Sequence, residues 1–318
     1  MASALLGTAG SYAETIDFVP NDERPEVRGV PPQHPNRADV NTQVIVHRGR
    51  VALKVFQPRA ILSNANEMSD AERYVLVSKG QDRFGAEPGL YSKLPHPNIP
   101  RVIKGLHKVA GHPAFTMELL SGPSLAHLIQ EGALTPSQII KAMCEAADAL
   151  HYAHNHAIIH RDINPRNIVF DEDGEAHVID FGLGKDEGAK FQKSVTGEVL
   201  GTIDFISPEQ AQDSKRVDHR TDNYSLGVTL YAAFGGKHLY PPDSPPITRL
   251  EAIRNGRAID PHTLFDRLTS PFHGLVEVIA RATRVDPSER YQTMSAFITA
   301  LEPFRDLDSP EPRPGDAA

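Results

Sequence analysis

The chain of 318 residues lacks the sequence features that are typical of several classes of protein. It contains one cysteine, Cys144, so an internal disulfide framework is excluded. No run of apolar residues is long enough to predict a membrane span, and the first residues lack the basic and apolar segments of a secretory signal. The 33 lysine and arginine residues are outnumbered by 41 aspartate and glutamate residues, which argues against nucleic-acid binding. These absences predict a soluble, cytoplasmic, globular protein.

The residues that are present change in character along the chain. Residues 1–39 are rich in turn formers and predict an irregular segment, and residues 304–318 predict a disordered tail. Between them, residues 43–47 and 51–56 predict two strands joined by a glycine turn, and residues 114–120 predict another strand. The stretch from residue 57 to about residue 89 is polar and predicts irregular chain.

Helical signals dominate after residue 120. Thr135 and Gln138 form a capping-box pattern before a run of apolar residues at helical spacing, which predicts a helix. Residues 167–170 and 176–179 flank a DEDG turn and predict a hairpin. Residues 224–231 are apolar on nearly every side and predict a buried helix. Strands first and helices second predict an α+β chain with two unlike lobes, residues 40–120 and 121–303.

Four short motifs follow one another along the chain: VALK at 51–54, HRDINPRN at 160–167, DFG at 180–182 and SPE at 207–209. A lysine, two aspartates and an asparagine suit phosphoryl transfer, which needs cations on phosphates, oxygen ligands for a metal and a carboxylate near the acceptor hydroxyl. In this order the motifs resemble those of the eukaryotic-like serine/threonine protein kinases of bacteria, over residues 40–303. Arg290 stands where that family places the ion-pair partner of Glu209, and Asp222 opens the buried helix.

The resemblance implies a bilobal kinase fold with a small, antiparallel β-rich N-lobe and a mainly helical C-lobe. It also implies transfer of the γ-phosphoryl group of ATP to serine or threonine hydroxyls of proteins, with Mg²⁺ as cofactor. Asp162 would accept or orient the hydroxyl proton, and Lys54 would contact the inner phosphates. Asn167 and Asp180 would bind magnesium through oxygen.

The same resemblance implies an adenine pocket. Met117 would lie at its back, and Glu118 and Leu120 would offer backbone groups to the adenine edge. A carboxylate should pair with Lys54. Glu87 is the first candidate, although Pro88 and Gly89 follow it and both are poor residues inside a helix, and Glu72 is the second.

Residues 180–209 correspond to the activation segment of the family. A phosphate on Ser194 or Thr196 could pair with Arg161 and order the segment, so the enzyme could activate itself. Thr202 is expected near the catalytic aspartate, as in serine/threonine kinases.

Two departures from the family pattern concern the phosphates. Residues 31–39, where the glycine-rich loop is expected, contain no glycine, so phosphate covering must be weaker or depend on another group such as Arg37. Asn164 stands two residues after Asp162, where serine/threonine kinases usually have lysine. Arg166 could supply the missing positive charge, as an arginine does in tyrosine kinases.

The sequence leaves three alternatives open. The missing glycines and Asn164 favour a pseudokinase that acts as a nucleotide-binding or scaffolding module. A small-molecule phosphotransferase is a second alternative, against which the complete activation segment counts. A zinc site is the third, because four histidines are closely spaced, but we expect them to be solvated at a helix end, apart from a packed His160. These histidines are His151, His154, His156 and His160.

Overall fold

The chain divides into two compact units, residues 1–123 with 169–174, and residues 124–168 with 175–318. The first unit contains mainly strands and the second mainly helices, as predicted. Within the described residues, every helix is too short or too polar to traverse a lipid bilayer. The computed structural model describes residues 13–16, 27–30, 42–47, 51–56, 69–109, 112–181, 203–213, 217–240, 244–264, 268 and 270–307.

Two short strands lie in the segment predicted to be irregular. Strands β1 (Ala13–Ile16) and β2 (Val27–Val30) pair antiparallel, with Ala13 opposite Val30. The prediction for residues 1–39 is therefore wrong for these two strands. Pro25, one of the residues that suggested irregular chain, falls between the strands, where a missing N–H does not interrupt the pairing.

A four-stranded antiparallel sheet forms the centre of the first unit. Its strands are β3 (Thr42–His47), β4 (Val51–Phe56), β5 (Val102–Val109) and β6 (His112–Glu118), in the order β3-β4-β6-β5. The predicted pairing of the first two strands is confirmed, because His47 lies opposite Val51. β4 is an inner strand and is buried from Ala52 onward, as its largely apolar sequence requires.

Helix α1 (Asp70–Tyr91) occupies much of the stretch predicted to be irregular, so that prediction is wrong. Pro88 lies in its last turns, and the carbonyl of Pro88 accepts hydrogen bonds from the N–H and the hydroxyl of Ser92, at 3.1 and 2.8 Å. Packing outweighs the unfavourable helix propensity of this proline. Phe84 is buried, and its ring contacts the rings of Phe56 and Phe115 at centroid distances of 5.6 and 5.2 Å.

Strands β7 (Ile168–Phe170) and β8 (Ala176–Val178) pair in a separate two-stranded sheet, which confirms the predicted hairpin. Residues 169–174 of this hairpin are grouped with the first unit. The second unit is mainly helical. Its helices are α2 (Leu125–Glu131), α3 (Pro136–Asn155), α4 (Pro208–Gln212), α5 (Arg220–Ala233), α6 (Pro246–Arg254), α7 (Leu275–Ala282) and α8 (Met294–Leu301). Short 3₁₀ turns lie at Pro165–Asn167, Pro261–Leu264, Ser270–Phe272, Pro287–Glu289 and Glu302–Phe304.

Helix α3 begins as its sequence predicts. The Thr135 hydroxyl accepts a hydrogen bond from the N–H of Gln138 at 3.3 Å, and the Gln138 side chain accepts one from the N–H of Thr135 at 2.9 Å. This is a complete capping box. Cys144 lies on the buried face, where burial raises the pKa of its thiol to about 11, so it packs as a small apolar residue.

Helix α5 is buried along nearly its whole length, which confirms the prediction for residues 224–231. A Cβ atom added to Gly227 would lie 2.7 Å from the Cβ of Ala282 in α7, so the two helices pack closely at this glycine. At the C-terminal end Phe304, at the start of the predicted tail, is buried, and residues 308–318 lie outside the described residues.

Gly227→Ala should lower the free energy of unfolding by about 1–3 kcal/mol, because its methyl group would overlap Ala282. Gly89→Ala in α1 is the matched control: it has no atom within 4 Å of its Cβ position, so helix propensity should stabilise the protein by up to about 1 kcal/mol. Urea denaturation followed by circular dichroism compares the two. Equal changes in unfolding free energy would show that the close packing of α5 against α7 does not require glycine at position 227.

Candidate functional site

Lys54 and Glu87 form a buried ion pair in the first unit. The Nζ of Lys54, on β4, lies 2.5 Å from Oε1 of Glu87, on α1, and the side chains are only 2% and 1% exposed. Nζ also lies 5.8 Å from the ring centroid of Phe115. Two charges buried so deeply are stable only as a pair, so each residue fixes the position of the other.

Of the two candidate partners of Lys54, the structure therefore selects Glu87. Glu72 lies fifteen residues earlier in the same helix, which places its backbone about 22 Å further along the axis. A lysine side chain that already contacts Glu87 cannot span that distance.

The residues predicted to face adenine lie at the end of β6. Met117 is buried and lies opposite Ala52 of β4. The N–H of Glu118 donates to the carbonyl of Arg101 at 2.8 Å, so its carbonyl is the backbone group that it can offer to a ligand. Leu120 follows directly and is buried.

In the second unit, Asp222 holds the loop that contains Asp162. Its carboxylate accepts hydrogen bonds from the N–H groups of His160 and Arg161, at 2.9 and 2.8 Å, and contacts Nε2 of His154 at 2.7 Å. Arg161 has a φ of 68°, a left-handed conformation that is unfavourable for a residue with a side chain. The bonds to Asp222 hold the backbone in this conformation.

His160 joins this loop to the DFG motif. Its Nε2 donates to the carbonyl of Ile179 at 2.8 Å, and its Nδ1 accepts from the N–H of Asp162 at 3.2 Å. The ring packs edge-on against Phe181, with centroids 4.7 Å apart. Burial lowers the pKa of His160, which keeps the ring neutral, as this donor and acceptor pattern requires.

Two asparagine amides hold the Asp162 carboxylate. Nδ2 of Asn164 lies 3.2 Å from Oδ1, and Nδ2 of Asn167 lies 3.2 Å from Oδ2. The same two amides also donate to the backbone carbonyl of Asp162, at 3.0 and 2.7 Å. Oδ1 of Asn164 caps the following 3₁₀ turn by accepting from the N–H of Arg166 at 2.9 Å.

The predicted magnesium ligands are adjacent. The N–H of Ile179 donates to the carbonyl of Asn167 at 3.0 Å, which brings Asn167 beside Asp180. Because the amide nitrogen of Asn167 bonds to Asp162, its Oδ1 is the atom that can bind a metal. This oxygen and the Asp180 carboxylate are hard ligands, so the donor set fits Mg²⁺.

Arg166 is exposed, and no ion pair of its guanidinium occurs among the described residues. It therefore differs from Asn164, which is buried and fully engaged in hydrogen bonds. Of these two predicted catalytic residues, Arg166 presents a charge to solvent, whereas Asn164 is neutral and buried.

Glu209 and Arg290, predicted to be partners, form a two-pronged ion pair with N–O distances of 2.8 and 2.7 Å. All five N–H groups of the Arg290 guanidinium are engaged, although the side chain is almost fully buried. The three backbone carbonyls that accept the remaining hydrogen bonds belong to Arg220, Arg284 and Val285.

Sequence reasoning missed several contacts that hold this region together. Gln210 follows the SPE motif, and its Nε2 donates to the carbonyl of Arg161 at 2.8 Å. Asp204 accepts hydrogen bonds from Arg249 and Tyr240, at 2.6 and 2.8 Å. Burial raises the pKa of Asp204, and these partners oppose that effect. The partners lie 36 to 49 positions apart, so no local pattern indicates them.

The four closely spaced histidines have separate partners. The expectation of a solvated His154 is wrong, because its side chain is buried against Asp222. His151 contacts Asn155, His156 contacts the Tyr152 carbonyl, and His160 is packed as expected. Among the described residues, no three histidine, cysteine, aspartate or glutamate side chains form a group able to hold a metal.

Several predicted site residues lie outside the described residues. They are the glycine-free stretch 31–39 with Arg37, and Ser194, Thr196 and Thr202 of the activation segment.

Arg290→Met should lower the free energy of unfolding by about 3–5 kcal/mol, because it leaves Glu209 and three carbonyls without their donor. Arg305→Met is the matched control, since Arg305 and Glu302 form an exposed pair at 3.5 Å worth about 0.5 kcal/mol or less. Urea denaturation measures both. Similar losses would mean that the buried pair is not a major support of the unit.

Stability should decrease as the pH falls below about 6.5, because the unfolded chain binds a proton that buried His160 excludes. The titratable groups that interact electrostatically with His160 are Asp222, Asp180 and His154. The lowered pKa of Asp222 keeps its stabilising contribution until the pH falls below about 4, so the two effects are separable.

His160→Gln should make the dependence of unfolding free energy on pH shallower between about pH 7.5 and 5.5, by up to about 1.4 kcal/mol per pH unit. The exposed His156→Gln serves as control. If His160→Gln and wild type have the same slope, His160 does not contribute to the acid sensitivity.

The chain is similar in sequence to known proteins. The protein kinase domain family matches residues 51–300 of the chain. A probable serine/threonine-protein kinase of Clostridium perfringens is 34% identical over 225 residues, which are 70% of this chain and 32% of that protein. Serine/threonine-protein kinase PknB of Mycobacterium tuberculosis is 32% identical over 203 residues, 63% of this chain and 31% of PknB. The matched region spans about a third of the length of these relatives. With most of its length matched, the chain belongs to the protein kinase family.

Proposed function

We propose that this protein is an ATP-dependent serine/threonine protein kinase. The observation that carries the proposal is the fixed Asp162 carboxylate, with one amide on each oxygen, in a loop held by Asp222. A carboxylate held in this way can orient a substrate hydroxyl and accept its proton as the hydroxyl attacks the γ-phosphorus. The leaving group of that displacement is ADP.

The phosphates would be bound directly by cationic side chains, and through magnesium by oxygen-bearing side chains. Lys54, fixed by Glu87, would contact the inner phosphates. Asn167 and Asp180 would hold magnesium, which neutralises charge on the phosphates when it is bound. Arg166 would place its exposed guanidinium near the transferring group and supply the charge that lysine provides elsewhere in the family.

Two features support a protein substrate. The end of the activation segment is tied to the rest of the unit through Glu209. Through Gln210 it is tied to residues 160–167, which we call the catalytic loop. A segment fixed at this end gives a peptide a stable surface. The relatives are named serine/threonine-protein kinases, which favours these hydroxyls as acceptors. Phosphates on Ser194 or Thr196, paired with Arg161, would be the route to self-activation.

A pseudokinase is the second candidate, favoured by the glycine-free stretch 31–39, which removes flexible N–H donors expected near the phosphates. Phosphate transfer distinguishes the candidates, whereas nucleotide binding alone does not. The cytoplasmic location and the lack of nucleic-acid binding stay predictions, based on sequence composition.

Asp162→Asn should lower the rate of phosphate transfer by about 10²–10⁴-fold, because an amide cannot accept the hydroxyl proton. Radiolabelled transfer from ATP to the protein itself and to a generic protein substrate measures the rate, and phosphosite mapping shows where the label goes. Asp173→Asn, in the exposed hairpin turn, is the control and should not change the rate. A folded wild-type protein that binds ATP without transferring phosphate would favour the pseudokinase, and an unchanged rate in Asp162→Asn would exclude Asp162 as the base.

A further inference from the structure

The side chain of Asn164 performs two separate tasks in the catalytic loop. Its Nδ2 donates to Oδ1 and to the backbone carbonyl of Asp162, at 3.2 and 3.0 Å, while its Oδ1 accepts from the N–H of Arg166 at 2.9 Å. The residue is 5% exposed, so little of it remains available to a ligand. Its polar atoms are therefore directed at the loop itself.

We infer that Asn164 is a positioning residue for phosphoryl transfer, which acts by fixing the orientation of the Asp162 carboxylate. The inference rests on the proposed function. Asn164 binds one carboxylate oxygen and Asn167 binds the other. Rotation of the carboxylate about the Cβ–Cγ bond would therefore break the hydrogen bond to each oxygen. Small errors in the placement of a catalytic group reduce rates strongly, and a shift of about 1 Å can cost 10²-fold.

Lysine could not perform both tasks, because an ammonium group has donors and no acceptor. The amide can donate to Asp162 and also accept from the N–H of Arg166. The structure therefore separates two properties, since Asn164 supplies position without charge and Arg166 supplies charge from an exposed side chain.

Two substitutions at this position separate positioning from folding. Asn164→Asp keeps an acceptor for the N–H of Arg166 and so retains the cap, but it replaces the donor to Asp162 with a second carboxylate. Asn164→Ala loses both the cap and the donor without adding a charge. A purely structural role predicts that the aspartate variant is the more active of the two, whereas positioning of Asp162 predicts that it is the less active.

The experiment measures kcat, the KM for ATP and the thermal midpoint of the full chain for wild type and both variants. We expect kcat to fall about 10-fold in Asn164→Ala and about 100-fold in Asn164→Asp. The KM for ATP should stay within about two-fold, because the polar atoms of Asn164 bond to Asp162 and to the N–H of Arg166. Asp286→Ala is the matched control: Asp286 also precedes a proline and caps a 3₁₀ turn by accepting from the N–H of Ser288 at 2.8 Å. It should lower stability without lowering kcat.

The outcomes are distinguishable. If wild type transfers phosphate and either variant keeps kcat within about two-fold, the positioning role is wrong while the proposed function stands. If Asn164→Ala is less active than Asn164→Asp and kcat follows the thermal midpoint, Asn164 is only a cap, and the inference is again wrong. If wild type transfers no phosphate, the proposed function fails and the inference fails with it. If Asn164→Asp does not fold, a folded Asn164→Ala with unchanged kcat is sufficient to overturn the inference.

Discussion

The buried carboxylate of Asp222 is the contact on which the geometry of the candidate site depends. Burial by itself raises the pKa of this group, but the hydrogen bond from His154 and the backbone bond from Arg161 outweigh it, so the pKa of Asp222 lies below its ordinary value. The anion holds two successive N–H groups of the catalytic loop. It thereby offsets the left-handed conformation of Arg161, which costs on the order of 1–3 kcal/mol. The direction of the chain into Asp162 follows from that conformation.

Local sequence rules predicted the elements that local contacts stabilise. The capping box of α3 and the hairpin of β7 and β8 depend on residues a few positions apart, and both are present as predicted. Helix α1 was missed because its stability comes from elsewhere: Phe84 packs on Phe115, and Glu87 pairs with a lysine 33 positions away. Pro88 has an unfavourable helix propensity, but these tertiary contacts outweigh it.

The candidate site shows the same division between local and distant signals. Motifs indicated the side chains that are proposed to carry chemistry, because each motif is continuous in the sequence. The contacts that hold them were not indicated, although Asp222 itself was singled out, since His154 and Asp222 are 68 positions apart and Gln210 lies 49 positions from Arg161. Burial of a histidine near a helix end has no signature in a single sequence, because exposed and buried helix ends use the same residues.

The two departures from the family pattern affect different steps. Both oxygens of Asp162 are held by amides of its own loop, so the orientation of the base is set without any contribution from nucleotide. In the proposed kinase, the glycine-free stretch 31–39 would offer fewer flexible backbone donors to phosphates, so this departure concerns nucleotide binding and not the orientation of the base. In the proposed kinase, a loop with Asn164 in place of lysine would lack a cation near the transferring phosphate, and Arg166 would supply it because arginine stays charged under all relevant conditions. In the proposed kinase, the chain would therefore retain the parts that position the reacting hydroxyl, and the cost of its divergence would fall on affinity for ATP.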